Sequence, residues 1–519
     1  MMTPQGRNAV PLRSLLKGWV ADEAIPSFAV TGIQSDSRRI ESGNLFLAVN
    51  GLQCHGLDYC EQAISNGCVA IAFDPSGITG SLPTLPSDIS LIPVPGLSDN
   101  LSVLADRFYS APSAAMAVIA VTGTNGKTSC THFIAEATRE HFDSSVIGTL
   151  GWGKAEALEP TRHTTPDPIE LQRILAALHD RGSRLVAMEA SSHGLAQGRM
   201  SGIRFKGAVF TNFSRDHLDY HGSMEAYLEA KLTLASWADL QFIVFNAEQA
   251  FTNPIVQRSG GKLSLLAFCS ADFQTAIDVP TLRYGKSIPR REGMAFEVMF
   301  GDQRAMVHTG LYGEFNVENT TATLGVLLCL GVGFHEAVEM LGKLAPVPGR
   351  MERVSCDGKQ VVVDYAHTPD ALSTVLRGVR AHAKNHLWVV FGCGGDRDRG
   401  KRPEMGAVAS ALADRIVLTD DNPRSESGDD IIQEILVGIE QPETLIIRDR
   451  RKAIIHALNE MGPDDFLVVA GKGHETTQEV AGVKYPFSDR TVIEENCFGG
   501  LSPLKSSSSE SSRPRFRQG

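Results

Sequence analysis

A glycine-rich loop between a predicted strand and a predicted helix is the feature that most constrains the fold of this chain. The loop is Thr122-Gly123-Thr124-Asn125-Gly126-Lys127-Thr128, preceded by the apolar run Met116–Val121 and followed by a helical pattern from about Thr128. In such a loop the backbone amides point inward and the helix N-terminus is electropositive, so phosphate binds there. Val121 stands where the usual GxxxxGK[ST] pattern has its first glycine. The sequence therefore predicts a short phosphate-binding loop at the edge of a parallel sheet.

Side chains in and after this loop indicate metal chemistry. Lys127 would reach the terminal phosphates of a nucleotide, and Thr128 would offer its hydroxyl to Mg²⁺. Glu189 and His217 each follow a predicted strand, and the carboxyl ends of parallel strands share one crevice. Mg²⁺ prefers oxygen ligands, which suits the carboxylate better than the imidazole. We expect both residues beside the loop as metal ligands, whereas Lys231, in a helical stretch, is on the residues alone a solvated helix lysine.

Strand-like and helical patterns alternate along most of the 519 residues, which predicts an α/β fold of about three domains. We place an N-terminal domain at 1–112, a central P-loop ATPase domain with a parallel sheet at 113–345, and a doubly wound, Rossmann-like domain at 346–500. A Ser-rich tail at 501–519 is expected to be disordered. The predicted strands are Leu45–Val49, Cys68–Phe73, Met116–Val121, Leu185–Met188, Gly207–Phe210, Phe242–Phe245, Gln360–Val363, Leu387–Phe391, Arg415–Leu418, Thr444–Ile447 and Phe466–Val469.

Charge and hydrophobicity exclude some classes of function. The formal net charge is −11, from 49 basic and 60 acidic residues, whereas general nucleic-acid binding needs a basic surface. The longest apolar stretch, 322–334, is too short to cross a bilayer, and residues 1–19 lack an apolar signal core. Nine cysteines without metal-ligand spacing are interpreted as reduced thiols. The sequence predicts a cytoplasmic protein with no membrane span and no nucleic-acid partner.

Three polar loops in the third domain each follow a predicted strand. They are Gly392–Pro403, which contains four basic residues, Asp420–Arg424 and Gly471–Glu475. Loops at the carboxyl ends of parallel strands line one crevice, and a cluster of cations in an acidic protein attracts anions. We therefore predict that the three loops form one shared pocket.

Six motifs follow one another along the chain: Gly123–Thr128, Glu189-Ala190-Ser191-Ser192-His193, Asn316-Val317-Glu318-Asn319, Pro348-Gly349-Arg350, Asp364-Tyr365-Ala366-His367 and Gly471–Glu475. In this order they make the chain resemble the Mur ligase family over nearly its whole length apart from the termini. The pattern is most similar to that of the members that add the third peptide residue to a cell-wall precursor. The short phosphate loop is the family's own form.

The resemblance implies an ATP-dependent ligase of peptidoglycan synthesis. ATP would phosphorylate the D-glutamyl carboxylate of UDP-N-acetylmuramoyl-L-alanyl-D-glutamate, and an amine of meso-2,6-diaminopimelate would attack the acyl phosphate. In the family the lysine that matches Lys231 is carbamylated, which turns a cation into an oxygen ligand near Mg²⁺. Lys127 and Lys231 are then the catalytic residues, and we expect a monomer. The expected metal ligands are Thr128, Glu189, His217 and Lys231.

The other expected site residues follow from the same motif matches. ATP contacts are implied at Gly123, Thr124, Asn125, Gly126, Lys127, Thr128, Ser129, Asn319, Arg350 and Asp364. Contacts with the UDP-linked precursor, which the N-terminal domain would bind, are implied at Ser35, Ser37, Leu52, Gln53, Cys54, Thr164, Thr165, Ser191, Gln197 and Arg199. Contacts with diaminopimelate are implied at Arg397, Asp421, Asn422, Pro423, Arg424, Gly471 and Glu475.

Three alternatives are open. In a lysine-adding ligase of the same type, Arg424 would have no second carboxylate to bind through two parallel hydrogen bonds, so its presence favours meso-diaminopimelate. A ligase like folylpolyglutamate synthase has the same ATP machinery, but the uridine-type first domain and the segment Asn422-Pro423-Arg424 argue against it. A P-loop switch protein would carry an NKxD motif, which this sequence lacks, and would not need the polar pocket of the third domain.

Overall fold

The structure, a computed structural model, describes residues 9–51, 54–78, 80–261, 263–356, 358–440 and 443–497. The tail at 501–519 and the expected site residues Leu52 and Gln53 lie outside these ranges. The chain divides into two compact units, Met1–Ala345 and Pro346–Gly519. Among the described residues, no helix is long and apolar enough to cross a membrane.

A small parallel sheet forms the first part of the first unit, next to a short antiparallel pair of strands. Its elements are β1 (Val10–Pro11), α1 (Leu12–Leu16), β2 (Ala29–Val30), β3 (Gly32–Gln34), β4 (Asn44–Ala48), α2 (Cys60–Ser65), β5 (Ala70–Phe73), β6 (Ser90–Pro93) and α3 (Leu97–Phe108). Strands β3 to β6 are parallel and in chain order, and every residue of β4 and β5 is buried. The two strands predicted here are confirmed with slightly different bounds.

The central sheet of the first unit has twelve strands. Its elements are β7 (Ala117–Thr122), α4 (Lys127–Phe142), β8 (Ser144–Gly148), β9 (Gly151–Lys154), β10 (Ala157–Glu159), α5 (Pro168–Asp180), β11 (Leu185–Glu189), α6 (Ser192–Ala196), β12 (Phe205–Phe210), α7 (Leu218–His221), α8 (Met224–Leu232), β13 (Phe242–Asn246), α9 (Thr252–Ser259), β14 (Ser264–Ser270), β15 (Thr281–Tyr284), β16 (Ile288–Arg290), β17 (Gly293–Phe300), β18 (Gln303–Thr309), α10 (Glu314–Cys329) and α11 (Phe334–Gly342). All four strands predicted for this region are confirmed.

The order of these strands explains where a ligand can bind. It is β10-β9-β8-β11-β7-β12-β13-β14-β15-β17-β16, with β18 beside β17. The strands from β8 to β15 along this order are parallel, and the outer strands pair antiparallel. From β7 the chain first builds β8 and β11 on one side and then β12 to β15 on the other. The carboxyl end of β7 is therefore a topological switch point, where open α/β sheets bind their ligands.

The second unit is a doubly wound sheet with a separate hairpin. Its elements are β19 (Glu352–Arg353), β20 (Gln360–Asp364), α12 (Pro369–Arg380), β21 (Leu387–Phe391), α13 (Lys401–Leu412), β22 (Arg415–Leu418), α14 (Gly428–Leu436), β23 (Leu445–Ile446), α15 (Arg450–Glu460), β24 (Phe466–Ala470), β25 (Thr477–Val480), β26 (Val483–Pro486) and α16 (Asp489–Cys497). The sheet order is β19-β20-β24-β21-β22-β23, parallel except for β19, and β25 pairs with β26. All five predicted strands are confirmed, although the one at Thr444–Ile447 is reduced to β23.

The interpretation of all nine cysteines as reduced thiols is wrong for one pair. Cys356 and Cys497 form a disulfide, with Cα atoms 4.8 Å apart across a sequence separation of 141 residues. They meet because Cys356 precedes β20 and Cys497 ends α16, and both belong to one core cluster of the second unit. The sequence spacing carries no sign of this contact. The other seven cysteines are free.

Candidate active site

The glycine-rich loop joins β7 to α4 and lies in the crevice at the switch point. Gly123 and Gly126 have φ angles of 150° and 83°, which side chains rarely adopt. A Cβ atom on Gly123 would collide with Thr211 Oγ1, and one on Gly126 would lie 2.5 Å from Asn319 Oδ1. Glycine is therefore required at both positions by conformation and by space. Asn319, an expected ATP contact on α10, is held against this loop.

Lys127 is positioned by the loop that it follows. Its ammonium donates to the carbonyl oxygens of Gly123 at 2.8 Å and Thr124 at 2.9 Å. The hydroxyl of Thr124 in turn donates to Ser214 O at 3.2 Å, and the amide of Asn125 donates to Asn212 Oδ1 at 2.8 Å. The loop is thus fixed to the segment after β12, and its lysine is held by two loop carbonyls.

Glu189 ends β11 beside the start of α4. Its carboxylate accepts hydrogen bonds from Thr128 Oγ1 at 3.0 Å and from the backbone amide of Thr149 at 2.8 Å. Only 1% of the residue is exposed. A buried carboxylate and a hydroxyl in contact form a hard oxygen pair, which is the donor type that Mg²⁺ prefers. Within the described residues no group of three or more His, Cys, Asp and Glu side chains could hold a metal.

His217 lies next to this loop in a left-handed backbone conformation, with φ of 53°. Its ring packs edgewise on that of His193, with centroids 4.8 Å apart, and on that of Tyr227 at 6.0 Å. Burial, together with the nearby charges of Lys127 and Lys231, lowers the pKa of His217. The imidazole is therefore favoured in its neutral form, the form that binds metals.

Lys231 is not the solvated helix lysine that the residues alone predict. Only 1% of it is exposed, its Nζ donates to Gly123 O at 2.9 Å, and the same atom lies 4.6 Å from the centre of the Tyr227 ring. Burial, the larger effect, and the charge of Lys127 lower the pKa of Lys231 well below its ordinary value. The prediction fails because α8 packs its lysine-bearing face against the phosphate loop, which the local sequence does not show.

The residues expected to hold the muramoyl dipeptide are linked to one another beside Glu189. Thr165 Oγ1 donates to Glu189 O at 3.0 Å and accepts from Ser191 Oγ at 3.0 Å. Arg199 donates to Thr165 O at 2.7 Å and to Gln197 Oε1 at 2.9 Å. Thr164 exchanges a hydrogen bond with Thr149 at 3.0 Å. The structure thus places these five residues in one continuous polar surface that adjoins the phosphate loop.

The residues expected to bind uridine lie in the first domain. Ser35 is exposed, whereas Ser37 is buried and donates to Gln62 Oε1 at 2.6 Å. Cys54 is half-buried, 3.3 Å from Tyr59 Oη, and lines a cavity of about 760 Å³. Ser35 and Cys54 are accessible to a ligand, while the hydroxyl of Ser37 already has a protein partner.

In the second unit, Arg350 and Asp364 are brought together with the motif after β20. The guanidinium of Arg350 lies 4.8 Å from the centre of the Tyr365 ring. Asp364 accepts from the amides of Met351 at 2.7 Å and Ala366 at 2.8 Å. Burial raises the pKa of Asp364, although Arg350 acts in the opposite direction. Arg350 and Asp364 therefore lie together in one polar cluster at the carboxyl end of β20.

The three polar loops of the second unit are in contact and form what we call the three-loop pocket, made of Gly392–Pro403, Asp420–Arg424 and Gly471–Glu475. The amide of Gly395 donates to Asn422 O at 2.9 Å, and Asn422 Nδ2 donates to Glu475 Oε2 at 2.9 Å. One side chain that sequence reasoning missed ties two of the loops together: Lys472 is fully buried and donates to Asn422 Oδ1 at 3.0 Å and Glu475 Oε2 at 2.7 Å. The sequence signal that could have identified Lys472 is its position between two glycines directly after a buried strand.

The two arginines of this pocket, Arg397 and Arg424, both lie near Gly394. Arg424, with φ of 53°, donates to Gly395 O at 2.6 Å and has Glu479 Oε2 3.7 Å from its Nε. A Cβ atom on Gly394 would lie 2.9 Å from Arg424 Nη1 and 3.7 Å from Arg397 Cγ. Asp421 is buried behind them, and burial raises its pKa. Arg424 therefore lies beside the carboxylate of Glu479, in the same pocket as Arg397 and Glu475.

Family models match almost the whole described chain. The Mur ligase family catalytic domain matches residues 29–109, the Mur ligase middle domain 121–327, and the Mur ligase glutamate ligase domain 349–473. A UDP-N-acetylmuramoyl-L-alanyl-D-glutamate–2,6-diaminopimelate ligase of Alkalilimnicola ehrlichii is 43% identical over 489 residues, which cover 93% of this chain and 97% of the relative. The chain belongs to the Mur ligase family. The ligase of the same name from Coxiella burnetii is 42% identical over 89% of this chain and 94% of its own length.

Solved Mur ligase structures agree with the fold. The structure of a UDP-N-acetylmuramoyl-L-alanyl-D-glutamate–2,6-diaminopimelate ligase is 34% identical, covers 95% of this chain and 99% of its own, and has a TM-score of 0.69. A Mycobacterium tuberculosis folylpolyglutamate synthase complexed with ADP and AMPPCP is 17% identical, covers 78% of this chain and 96% of its own, and has a TM-score of 0.58. The second likeness shows the fold alone.

Proposed function

We propose that this Mur ligase uses ATP to join the D-glutamyl carboxylate of UDP-N-acetylmuramoyl-L-alanyl-D-glutamate to meso-2,6-diaminopimelate through an acyl phosphate, in peptidoglycan synthesis. The observation that carries the proposal is the arrangement of Lys127, Lys231 and the Thr128–Glu189 pair around one phosphate loop. The named relatives, which match the chain over nearly its full length, support the choice of substrates.

In this proposal each of the three predicted domains has its own binding task. Residues 1–112 bind the uridine end of the precursor, 113–345 bind ATP and carry out phosphoryl transfer, and 346–500 bind the diamino acid. The proposal includes a cytoplasmic location, where ATP is available to drive amide formation, and action as a monomer.

The first chemical task is phosphoryl transfer to a carboxylate, which needs positioning and neutralised charge more than covalent catalysis. The loop amides and the ammonium of Lys127 would hold the nucleotide phosphates. Thr128, Glu189 and His217 would hold Mg²⁺, which when bound neutralises charge on those phosphates. Thr165, Ser191 and Arg199 would orient the dipeptide, because they form the polar surface that adjoins the loop.

Lys231 has the environment that carbamylation requires. The neutral amine is the form that adds CO₂, with formation of an N–C bond and release of a proton, and a buried amine with a lowered pKa is largely neutral. The carbamate would then replace a cation beside the phosphate loop with an oxygen ligand suited to Mg²⁺. This accounts for a buried lysine that otherwise stands next to the like charge of Lys127.

The second task is selection of the incoming amine. Meso-diaminopimelate carries a carboxylate and an ammonium at each end, and the three-loop pocket contains Arg397, Arg424 and Glu475, with Glu479 beside Arg424. A guanidinium binds a carboxylate through two parallel hydrogen bonds. Arg424 would bind the carboxylate that lysine lacks, with Asn422 and Glu475 orienting the other groups.

The test is an ADP-release assay on the full chain with substrates added singly and in pairs. We expect ADP release to need both UDP-N-acetylmuramoyl-L-alanyl-D-glutamate and meso-diaminopimelate. Release with a folate and glutamate instead would show a folylpolyglutamate synthase activity, and release with neither substrate would contradict the proposal.

A further inference from the structure

Arg402, near the start of α13 and at the end of the first loop of the three-loop pocket, is an arginine whose side chain is completely buried. Its guanidinium donates to both carboxylate oxygens of Glu426, at 2.8 and 2.9 Å, to Glu434 Oε2 at 2.8 Å, and to Gly394 O at 3.2 Å. Removing a guanidinium from water is costly unless its partners are well placed. A buried ion pair of this kind is weak evidence for added stability. It does fix the position of its carboxylate, because two parallel hydrogen bonds hold the carboxylate in one orientation.

Glu426, fixed by Arg402, in turn forms bonds to two loops of the pocket. Its Oε1 also accepts from the backbone amide of Asp396 at 2.5 Å, and its own amide donates to Pro423 O at 3.0 Å. A further hydrogen bond joins the same two loops on the exposed side, where Ser425 Oγ donates to Asp396 Oδ1 at 2.6 Å. The residue before Arg397 and the turn that contains Arg424 are therefore held by one carboxylate.

The backbone beside both pocket arginines has an unusual conformation. Arg424 and Asp396 both have left-handed backbone conformations, with φ of 53°. Neither residue is a glycine, so the surrounding bonds must hold that conformation. Arg402 also donates to the carbonyl oxygen of Gly394, the residue that lies near both Arg397 and Arg424. Loss of the Arg402–Glu426 pair would release both arginines.

We propose that Arg402 and Glu426 are positioning residues for the diamino-acid site, which act by setting the distance between Arg397 and Arg424. The inference rests on the proposed function, because it assumes that these two arginines bind the diamino acid. Neither Arg402 nor Glu426 contacts the substrate in this account. The pair instead presets the spacing of two cations, so that a ligand with two carboxylates is preferred over one with a single carboxylate.

The test is steady-state kinetics of Glu426→Gln, with each substrate varied in turn. We expect KM for meso-diaminopimelate to rise about tenfold or more, because small misplacements of binding groups are costly, while KM for ATP stays within about twofold. The preference for meso-diaminopimelate over lysine should fall by a similar factor. A change in folding alone would not shift one KM selectively.

Glu434→Gln is the matched control. It neutralises the other carboxylate bonded to Arg402, which also pairs with Arg399, but leaves the bonds between Glu426 and both loops intact. We expect its KM for meso-diaminopimelate to stay near the wild-type value, even if both variants lose thermal stability. Equal effects of Glu426→Gln and Glu434→Gln on this KM, or no effect of either, would overturn the inference.

Asp396→Asn provides a second route if Glu426→Gln fails to fold. Asp396 is exposed, and the substitution weakens the two bonds that its carboxylate accepts from the hydroxyl and the backbone amide of Ser425, between the same two loops. A smaller rise in KM for meso-diaminopimelate alone is expected, and an unchanged KM would overturn the inference. If the wild-type enzyme does not use meso-diaminopimelate at all, the proposed function fails first, which separates the two outcomes.

Discussion

The phosphate loop of the first unit and the three-loop pocket of the second both suit anions, but they are built differently. The phosphate loop is one stretch, 122–128, shaped by its backbone, in which Gly123 and Gly126 take conformations that other residues resist. The three-loop pocket comes from 392–403, 420–424 and 471–475, and side chains such as Asn422 and Lys472 join its parts. A site made of backbone is retained when side chains change, whereas a site made of side chains can be altered one residue at a time. We infer that the first carries the chemistry common to the family and the second the choice of amino acid.

The largest effect on turnover should come from a substitution in the phosphate loop, the site shaped by its backbone. Lys127→Ala removes the charge that faces the transferring phosphoryl group, and turnover at saturating ATP should fall on the order of 10³-fold or more. The exposed Lys343 provides the control, since Lys343→Ala should leave turnover unchanged. Near-normal turnover of Lys127→Ala in an ADP-release assay would show that the loop is not the site of phosphoryl transfer.

Lys231→Ala should lower turnover almost as much as Lys127→Ala. Unlike that variant, it should regain turnover when a small molecule is added. We expect a loss of about 10²- to 10³-fold, partly restored by short carboxylic acids that fill the space of the carbamate. The same acids should not restore Lys127→Ala, which tests whether the rescue is specific. Full activity of Lys231→Ala in bicarbonate-free buffer would rule out the carbamate.

Arg424→Ala should affect one substrate only, which is the behaviour expected of a site built from side chains. We expect kcat/KM for meso-diaminopimelate to fall about 10²-fold or more, because a charged group of the ligand loses its partner, while ATP binding measured by calorimetry stays unchanged. Arg415→Ala, at the amino end of β22 and away from the pocket, is the control. Equal losses for ATP and the amino acid would mean that Arg424 serves the fold rather than specificity.

The sequence predicted the backbone-built site better than the side-chain-built one. The glycine spacing and flanking elements identified the phosphate loop directly, because local conformation depends on local sequence. The residues alone made Lys231 a surface lysine, since its burial depends on how α8 packs against a loop more than a hundred residues away in the chain. Arg402, Glu426 and Lys472 were missed as connecting groups, and the Cys356–Cys497 disulfide was missed as well, because each depends on contacts between distant segments.

The smallest effect concerns the pH dependence of stability and comes from a buried histidine of the first unit. His132, on α4 directly after the phosphate loop, is 7% exposed, and burial lowers its pKa to about 4 from 6.5. The folded protein thus favours the neutral ring, so this stability is complete above pH 6.5 and is lost as the pH falls toward 4. By pH 5 the loss should be about 2 kcal/mol.

Urea unfolding of wild type and His132→Gln at pH 7 and pH 5 measures this contribution. The variant should lose less stability than wild type over the same interval, by about 2 kcal/mol. His141→Gln, which changes an exposed histidine at the end of the same helix, should behave like wild type. Identical pH dependence in His132→Gln and wild type would contradict the assignment.

The central claim is that the chemistry resides in the first unit and the choice of amino acid in the second. The most direct measurement is kcat/KM of the wild-type enzyme for meso-diaminopimelate and for lysine, with saturating ATP and UDP-N-acetylmuramoyl-L-alanyl-D-glutamate. Lysine bound in the three-loop pocket would leave Arg424 without its carboxylate partner, a penalty that can reach roughly 10⁴-fold. We predict a strong preference for meso-diaminopimelate. Equal values, or a preference for lysine, would contradict the account.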